Sequence, residues 1–352
     1  MRPEIAARHL TADFNRRLRC AGSIGNDGKE EGRLMGFLYL IGACLVLAGT
    51  WLAVAKPWRM PVTIVDARLG GRRVGGADWF GNYYPAAAGA QRPGVLVVGG
   101  SEGGLHDQVD RDARALNREG YSVLALSFFR GPGQRTQLAL IPLEVFDSAL
   151  DWLREQPLVD ASRLAVVGMS KGAEAALLVA ANRSDLVAVV AAAPSSAAWP
   201  GFDWSKFRGL KESSWSLNGK ELPTLPYGRF SWSKGVRSIY EDGLAAASEH
   251  PEAMIPVERS KAAMLLICGG KDQVWPSCTM AEQVASRARK HGGSVTILSY
   301  PEADHGVFAS PLEAGNRPRR FGFGRPAPGN AAAQADSWPR VLAFLQKSLQ
   351  RD

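Results

Sequence analysis

From Gly94 onward, short and almost wholly apolar runs alternate with longer amphipathic ones. Six runs read as buried strands, each rich in aliphatic residues and bounded by turn formers: Gly94 to Val98, Ser122 to Phe128, Leu164 to Gly168, Leu186 to Ala192, Ala263 to Cys268 and Val295 to Tyr300. Between them, Asp110 to Glu119 and Leu143 to Glu155 carry apolar residues at helical spacing. The alternation predicts an α/β fold, a mostly parallel sheet covered by helices on both faces.

The stretch from Ser195 to His250 breaks this rhythm. It carries Trp199, Trp204, Trp215 and Trp232 among prolines and glycines and is too long for a plain connection. Placed after the sixth strand of such a sheet, an aromatic-rich insertion over 195–250 would roof a site at the strand ends and shape an apolar pocket. Equally, its aromatics would make a second small core, and the two readings are compatible.

Upstream, Leu34 to Ala55 is uncharged and mostly apolar, lies between Arg33 and Lys56, and has Trp51 and Trp58 near its downstream end. That length spans a bilayer as a helix, whereas a helix of a soluble domain needs a polar face. The reading is a single uncleaved anchor and a membrane location, with 1–33 as a polar tail and 61–352 as the folded domain. Two processed forms compete. A start at Met35 would make the run a signal peptide without its charged n-region, and Ile41-Gly42-Ala43-Cys44 resembles a lipoprotein cleavage box although the apolar run continues past it. Lys and Arg are balanced on the two sides, so the side on which the domain lies is open.

The 352 residues are 46% apolar and 22% charged, an ordinary globular composition. A net charge of +8 permits anionic partners, but the basic residues are scattered, and a nucleic-acid role is the weaker reading. Cys20, Cys44, Cys268 and Cys278 have no ligand-pair spacing and read as free thiols, with neither a zinc site nor a disulfide framework.

The pentad Gly168-Met169-Ser170-Lys171-Gly172 sits between an apolar strand and a helix-forming stretch. This is the arrangement of a nucleophile elbow in an α/β-hydrolase, in which small flanking residues let the helix start against the strand and leave the serine Oγ exposed. A serine hydroxyl needs an imidazole to take its proton and a carboxylate to hold the imidazole. Of five histidines, His305 lies just after the last strand, where this fold presents its base. His106 follows the first strand, His250 and His291 end polar stretches, and His9 precedes the apolar run. Asp272, just past the strand ending at Cys268, completes the chain order Ser, Asp, His. Asp304 competes for this role but is too close in sequence to reach Nδ1 of its neighbour.

For the oxyanion the expected donors are the amide of Lys171 and an amide of Gly99-Gly100-Ser101-Glu102-Gly103-Gly104, that of Ser101 or Glu102. No Gly-Lys-Ser or Gly-Lys-Thr follows this loop, which argues against a phosphate cradle. Lys171 and Glu174 are expected to pair on the helix surface. Trp199, Trp204 and Trp275 are the candidate substrate contacts. Arg317, Arg319, Arg320 and Arg325 would meet phosphates if the substrate carried them, although a solvated basic loop is the simpler reading.

From about Pro93 to Leu349 the chain resembles the C-terminal catalytic domain of the acyl-CoA thioesterase and bile acid-CoA:amino acid N-acyltransferase family, itself close to dienelactone hydrolases. The resemblance rests on Gly103-Gly104-Leu105, Met169-Ser170-Lys171-Gly172-Ala173-Glu174, Ile255-Pro256-Val257-Glu258-Arg259, Asp272-Gln273-Val274-Trp275, Tyr300-Pro301-Glu302 leading into His305, and Ala333-Gln334-Ala335-Asp336-Ser337-Trp338. It implies a triad of Ser170, Asp272 and His305, an acyl thioester or ester as the small-molecule substrate, and no metal or cofactor. The chain departs from the family twice. Pro61 to Arg92 is too short for the N-terminal β-sandwich of animal members, and serine stands where the transferase branch has cysteine, which favours hydrolysis over transfer. A carboxylesterase or lactone hydrolase is the rival enzyme, favoured by a domain outside the cytoplasm, and a silent tethered binding module is the rival of another class.

Overall fold

The computed structural model describes residues 33–54, 62–206, 208–311 and 327–350. The chain divides into two units at Arg59/Met60. Within the first, helix α1 (Arg33–Val54) has 22 residues and a mean hydropathy of 2.2 over its most apolar window. At 1.5 Å per residue it is about 33 Å long, enough to cross the hydrocarbon core of a bilayer, and a signal sequence would meet the same criterion. Ala55, the last residue of the expected span, lies outside the described residues.

The second unit is built on an eight-stranded sheet. In chain order the strands of this unit are β1 (Arg72–Gly75), β2 (Phe80–Tyr84), β3 (Arg92–Val98), β4 (Ser122–Ser127), β5 (Ile141–Pro142), β6 (Val159–Met169), β7 (Leu186–Ala192), β8 (Pro200–Asp203), β9 (Arg208–Ser213), β10 (Trp215–Leu217), β11 (Lys220–Glu221), β12 (Ala263–Gly269) and β13 (Val295–Tyr300). The large sheet runs β1-β2-β4-β3-β6-β7-β12-β13, antiparallel at β1 and β2 and parallel from β4 onward. The helices are α2 (Asp107–Arg118), α3 (Glu144–Arg154), α4 (Lys171–Asn182), α5 (Arg237–Ala245), α6 (Ser277–Lys290) and α7 (Gly329–Ser348).

The central strands are apolar throughout because both faces are covered. Leu96 and Val98 of β3, Leu124 and Leu126 of β4, and Leu164 and Val166 of β6 face a core that holds Phe146 and Leu150 of α3 and Leu177 of α4. Their neighbours Val95, Val97, Val123, Ala125, Ala165 and Val167 face the opposite core, with Val109 and Leu116 of α2 and Trp338 and Val341 of α7. This period-two division matches the pleat, and a one-residue slip of any of these strands would exchange its two faces.

The insertion after β7 has its own small core of Ala197, Trp199 and Leu225, joined by Trp275 and Met280, with Tyr227 and Tyr240 packed on it. It contributes the β8/β9 hairpin and a three-stranded sheet in which β10 pairs with β11 and with β5.

One expectation from the sequence is corrected here. Cys268, at the end of β12, and Cys278, in the first turn of α6, form a disulfide with Cα atoms 5.0 Å apart. No spacing motif announces it, because a strand end and a helix start are brought together by the turn between them. Cys44 is free and exposed, and Cys20 lies outside the described residues. The bond closes a loop across a separation of 10 residues. On the chain-entropy account this contributes about 2–3 kcal/mol, so Cys278→Ser is expected to lower unfolding stability by about that amount in urea titrations.

Candidate functional site

The strand-turn-helix at β6 and α4 sets Ser170 at φ 57° and ψ −122°, a conformation L residues rarely adopt. Close approach permits it. A Cβ at Gly168 would overlap the carbonyl of Gly172, and a Cβ at Gly172 would overlap that of Gly99. The Ser170 amide donates to Ala192 O at 2.9 Å, which fastens the turn to the end of β7.

Ser170 Oγ lies 2.8 Å from His305 Nε2, and His305 Nδ1 lies 3.0 and 2.9 Å from the two Asp272 oxygens. All three are buried, with relative exposures of 8%, 5% and 1% in the order Ser170, His305, Asp272. Asp272 Oδ1 also accepts from the amides of Val274 (2.9 Å) and Trp275 (3.2 Å), so the turn after β12 aims the carboxylate with its own backbone. Arg237 of α5 donates to Asp272 O at 2.6 Å, tying the insertion to the same turn. Burial alone would push the His305 imidazole down, but Asp272 foremost, with Glu102 and Asp304 behind it, holds it above the ordinary histidine value.

Asp304 is occupied elsewhere. Its carboxylate accepts from the amides of Gly306 and Ala327, both at 2.7 Å, and from the Asn330 side chain. It therefore pins the His305 loop to the start of α7. Of the other histidines, His106 is buried 3.8 Å from a Glu102 oxygen, His291 is exposed and His250 is partly exposed. His9 lies outside the described residues.

Facing the elbow is the loop after β3, in which Gly103 (φ 66°) and Gly104 (φ 68°) are successive left-handed residues. Arg130 donates to Glu102 O at 2.7 Å, and the indole of Trp204 donates to Ser101 O. The Trp204 bond thus holds the peptide that carries the Glu102 N–H, one of the two expected second donors, and the Arg130 bond holds the next peptide along. The Lys171 N–H opens α4 and belongs to the first turn, whose donors a helix leaves without an internal partner.

The three tryptophans have different places. Trp204 is partly buried against the loop after β3. Trp275 is buried, donates to Ala193 O at 3.2 Å and meets His305 edge-on at 5.6 Å between ring centroids. Trp199 is fully buried in the insertion's core, its indole donating to Ser195 Oγ at 2.8 Å.

Lys171 and Glu174 do pair, at 2.9 Å, but the surface expected for them is absent. Their side chains are 4% and 0% exposed because the insertion covers them. Arg317, Arg319, Arg320 and Arg325 lie outside the described residues. Among the described residues no group of three His, Cys, Asp or Glu is arranged to hold a metal ion.

Residues 141–351 match the family described as BAAT / Acyl-CoA thioester hydrolase C terminal. The chain belongs to this family. Relatives in it include acyl-coenzyme A thioesterase 5 of Mus musculus, 28% identical over 276 residues that cover 74% of this chain and 61% of that protein. Acyl-coenzyme A amino acid N-acyltransferase 2 of Rattus norvegicus is 30% identical over 267 residues, 73% of this chain and 60% of that one. The chain therefore spans about three fifths of the length of the curated relatives it matches. Among solved structures, the Pyrococcus furiosus esterase Pf2001 aligns with a TM-score of 0.52 at 15% identity, covering 82% of this chain and 99% of that one. A puromycin-hydrolyzing peptidase of Mycobacterium tuberculosis aligns with a TM-score of 0.54 at 16% identity, covering 80% and 40%. The fold of this family member is that of an α/β-hydrolase, a mostly parallel sheet flanked by helices.

Sequence reasoning missed the groups that hold these side chains in place. Arg237, Ser214 and Trp215 all come from the insertion or its margin, and no local pattern links them to the elbow.

Proposed function

We propose that the chain is a serine hydrolase that cleaves acyl thioesters of the acyl-CoA type through an acyl-enzyme. The observation that carries the reading is the unbroken hydrogen-bond chain from Ser170 Oγ through His305 to the doubly anchored Asp272. Family membership and thioesterase relatives support the choice of substrate. His305 Nε2 takes the Ser170 proton as Oγ attacks the acyl carbonyl, and Asp272 stabilises the imidazolium that forms. The oxyanion is met by the Lys171 amide and by that of Ser101 or Glu102. Collapse expels the thiolate, which leaves as the thiol with the proton from His305. The same imidazole then activates water to release the acid and regenerate Ser170.

In this reading residues 195–250 form a cap over the site, with Trp204 at its mouth. Residues 34–55 are an uncleaved anchor that places the enzyme at a membrane.

A second reading follows from the Cys268–Cys278 disulfide. Disulfides persist in oxidising compartments, away from the cytoplasmic CoA pool, and a domain there would act on an oxygen ester or lactone with the same triad. The test compares the full-length protein in detergent on acyl-CoAs of graded chain length and on aryl esters. The thioesterase reading expects a chain-length optimum among the thioesters. Turnover of aryl esters alone transfers the assignment to the ester reading, and the absence of turnover on both series overturns the hydrolase assignment.

A further inference from the structure

Beneath the elbow lies a buried charge pair that the proposed chemistry does not use. Lys171 Nζ sits 3.0 and 2.9 Å from the two Glu174 oxygens and donates to Ser214 Oγ at 2.8 Å. Glu174 Oε1 also accepts from the Trp215 indole at 2.7 Å and the Trp199 amide at 3.1 Å, while Ser214 Oγ donates to Pro200 O at 3.1 Å. The ammonium lies 5.8 Å from the Trp215 ring centroid. Desolvation pushes the Lys171 ammonium down and the Glu174 carboxyl up, and each partner opposes the shift of the other. A pair this deep is a poor source of stability, because an apolar replacement of similar volume is often neutral or better. What it does supply is direction. Every other group bonded to it belongs to the two segments at the root of the insertion, Trp199–Pro200 and Ser214–Trp215. Lys171 itself contributes the backbone N–H expected to meet the oxyanion, one residue after Ser170.

Taking the serine-hydrolase reading above as its basis, we propose that Lys171 and Glu174 are positioning residues. Their ion pair fixes the first turn of the nucleophile helix against the root of the insertion, so that the Lys171 amide is held at the angle the oxyanion requires.

Removing one charge leaves the other buried and alone, so single variants are expected to unfold readily. The informative protein is the double variant Lys171→Met/Glu174→Gln, which keeps volume and removes both charges. Its melting temperature is expected to stay near that of the wild type while kcat per phosphonate-titratable Ser170 falls about 10- to 100-fold. KM should change less than about threefold, and the affinity for an aryl boronic acid, which mimics the tetrahedral state, should fall in parallel with kcat. A double variant with wild-type kcat per titrated site, or one in which kcat falls without loss of boronate affinity, overturns the proposal. Failure of the underlying reading looks different: the wild-type protein itself would not be labelled at Ser170 by the phosphonate.

Discussion

Replacing Ser170 by alanine is expected to lower kcat on the preferred substrate by roughly 10⁴- to 10⁶-fold with little change in KM. Oγ is the only atom removed. Alanine keeps the Cβ, so the backbone at φ 57° is strained to the same degree in both proteins and the elbow keeps its shape. His305 retains both bonds to Asp272, and the oxyanion amides are untouched, so substrate binding should persist. The residual rate would come from water attacking a bound, polarised carbonyl. Single-turnover kinetics check this: the wild type should show a burst of the thiol or alcohol leaving group, and the variant none. Near wild-type turnover by the variant would remove the nucleophile and with it the acyl-enzyme. The silent-module reading fails by the same experiment if the wild-type burst is present.

Five of the six apolar runs were legible because each is a central strand covered on both faces, so burial writes the whole strand into the sequence; the sixth, Val295–Tyr300, is a strand as expected but lies at the sheet edge with none of its residues buried. Leu96 and Val97 are equally apolar for opposite cores. The opposite edge, β1 and its neighbour β2, was not legible. Arg72–Gly75 and Phe80–Tyr84 are short, and β1 is largely exposed and charged, so neither offers a continuous apolar run. The elbow could be read because its constraint is local: two glycines within two residues of Ser170, each facing a backbone carbonyl that excludes a Cβ. Asp272 and His305 could be singled out by their place after strands, since a parallel sheet brings the C-terminal ends of its strands to one edge.

What escaped the sequence shares a physical cause. The Lys171–Glu174 spacing of three residues fits a surface pair, and only the arrival of Trp199, Ser214 and Trp215 buries it. The disulfide likewise needs the turn between β12 and α6 to bring its cysteines together. The insertion's tryptophans were chemically alike in the sequence, yet Trp199 fills a core while Trp204 bonds the loop after β3. Burial and partner choice of this kind are decided by segments far apart in the chain, which periodicity does not record.

Asp272→Asn should be nearly as damaging as loss of the nucleophile, about 10⁴-fold in kcat, although the side chain keeps its size. Asn has one acceptor oxygen and a donating amide in place of two acceptors. Asp272 Oδ1 already serves the Val274 and Trp275 amides, so an asparagine oriented to satisfy them turns its NH₂ toward His305 Nδ1. That stabilises the tautomer with the proton on Nε2, which cannot take a proton from Ser170. The variant also carries a pH signature. In the native protein burial lowers the imidazole's proton affinity but Asp272, ahead of Glu102 and Asp304, more than compensates, so the acidic limb of the kcat/KM profile should lie above the ordinary histidine value of about 6.5. The base works only when neutral, so activity rises as pH climbs through that limb. With the carboxylate gone, desolvation is opposed only by the weaker fields of Glu102 and Asp304, and the limb should move to lower pH. An unchanged limb together with a loss below tenfold would separate Asp272 from the imidazole's function and leave its hydrogen bonds to Val274 and Trp275 as its main role.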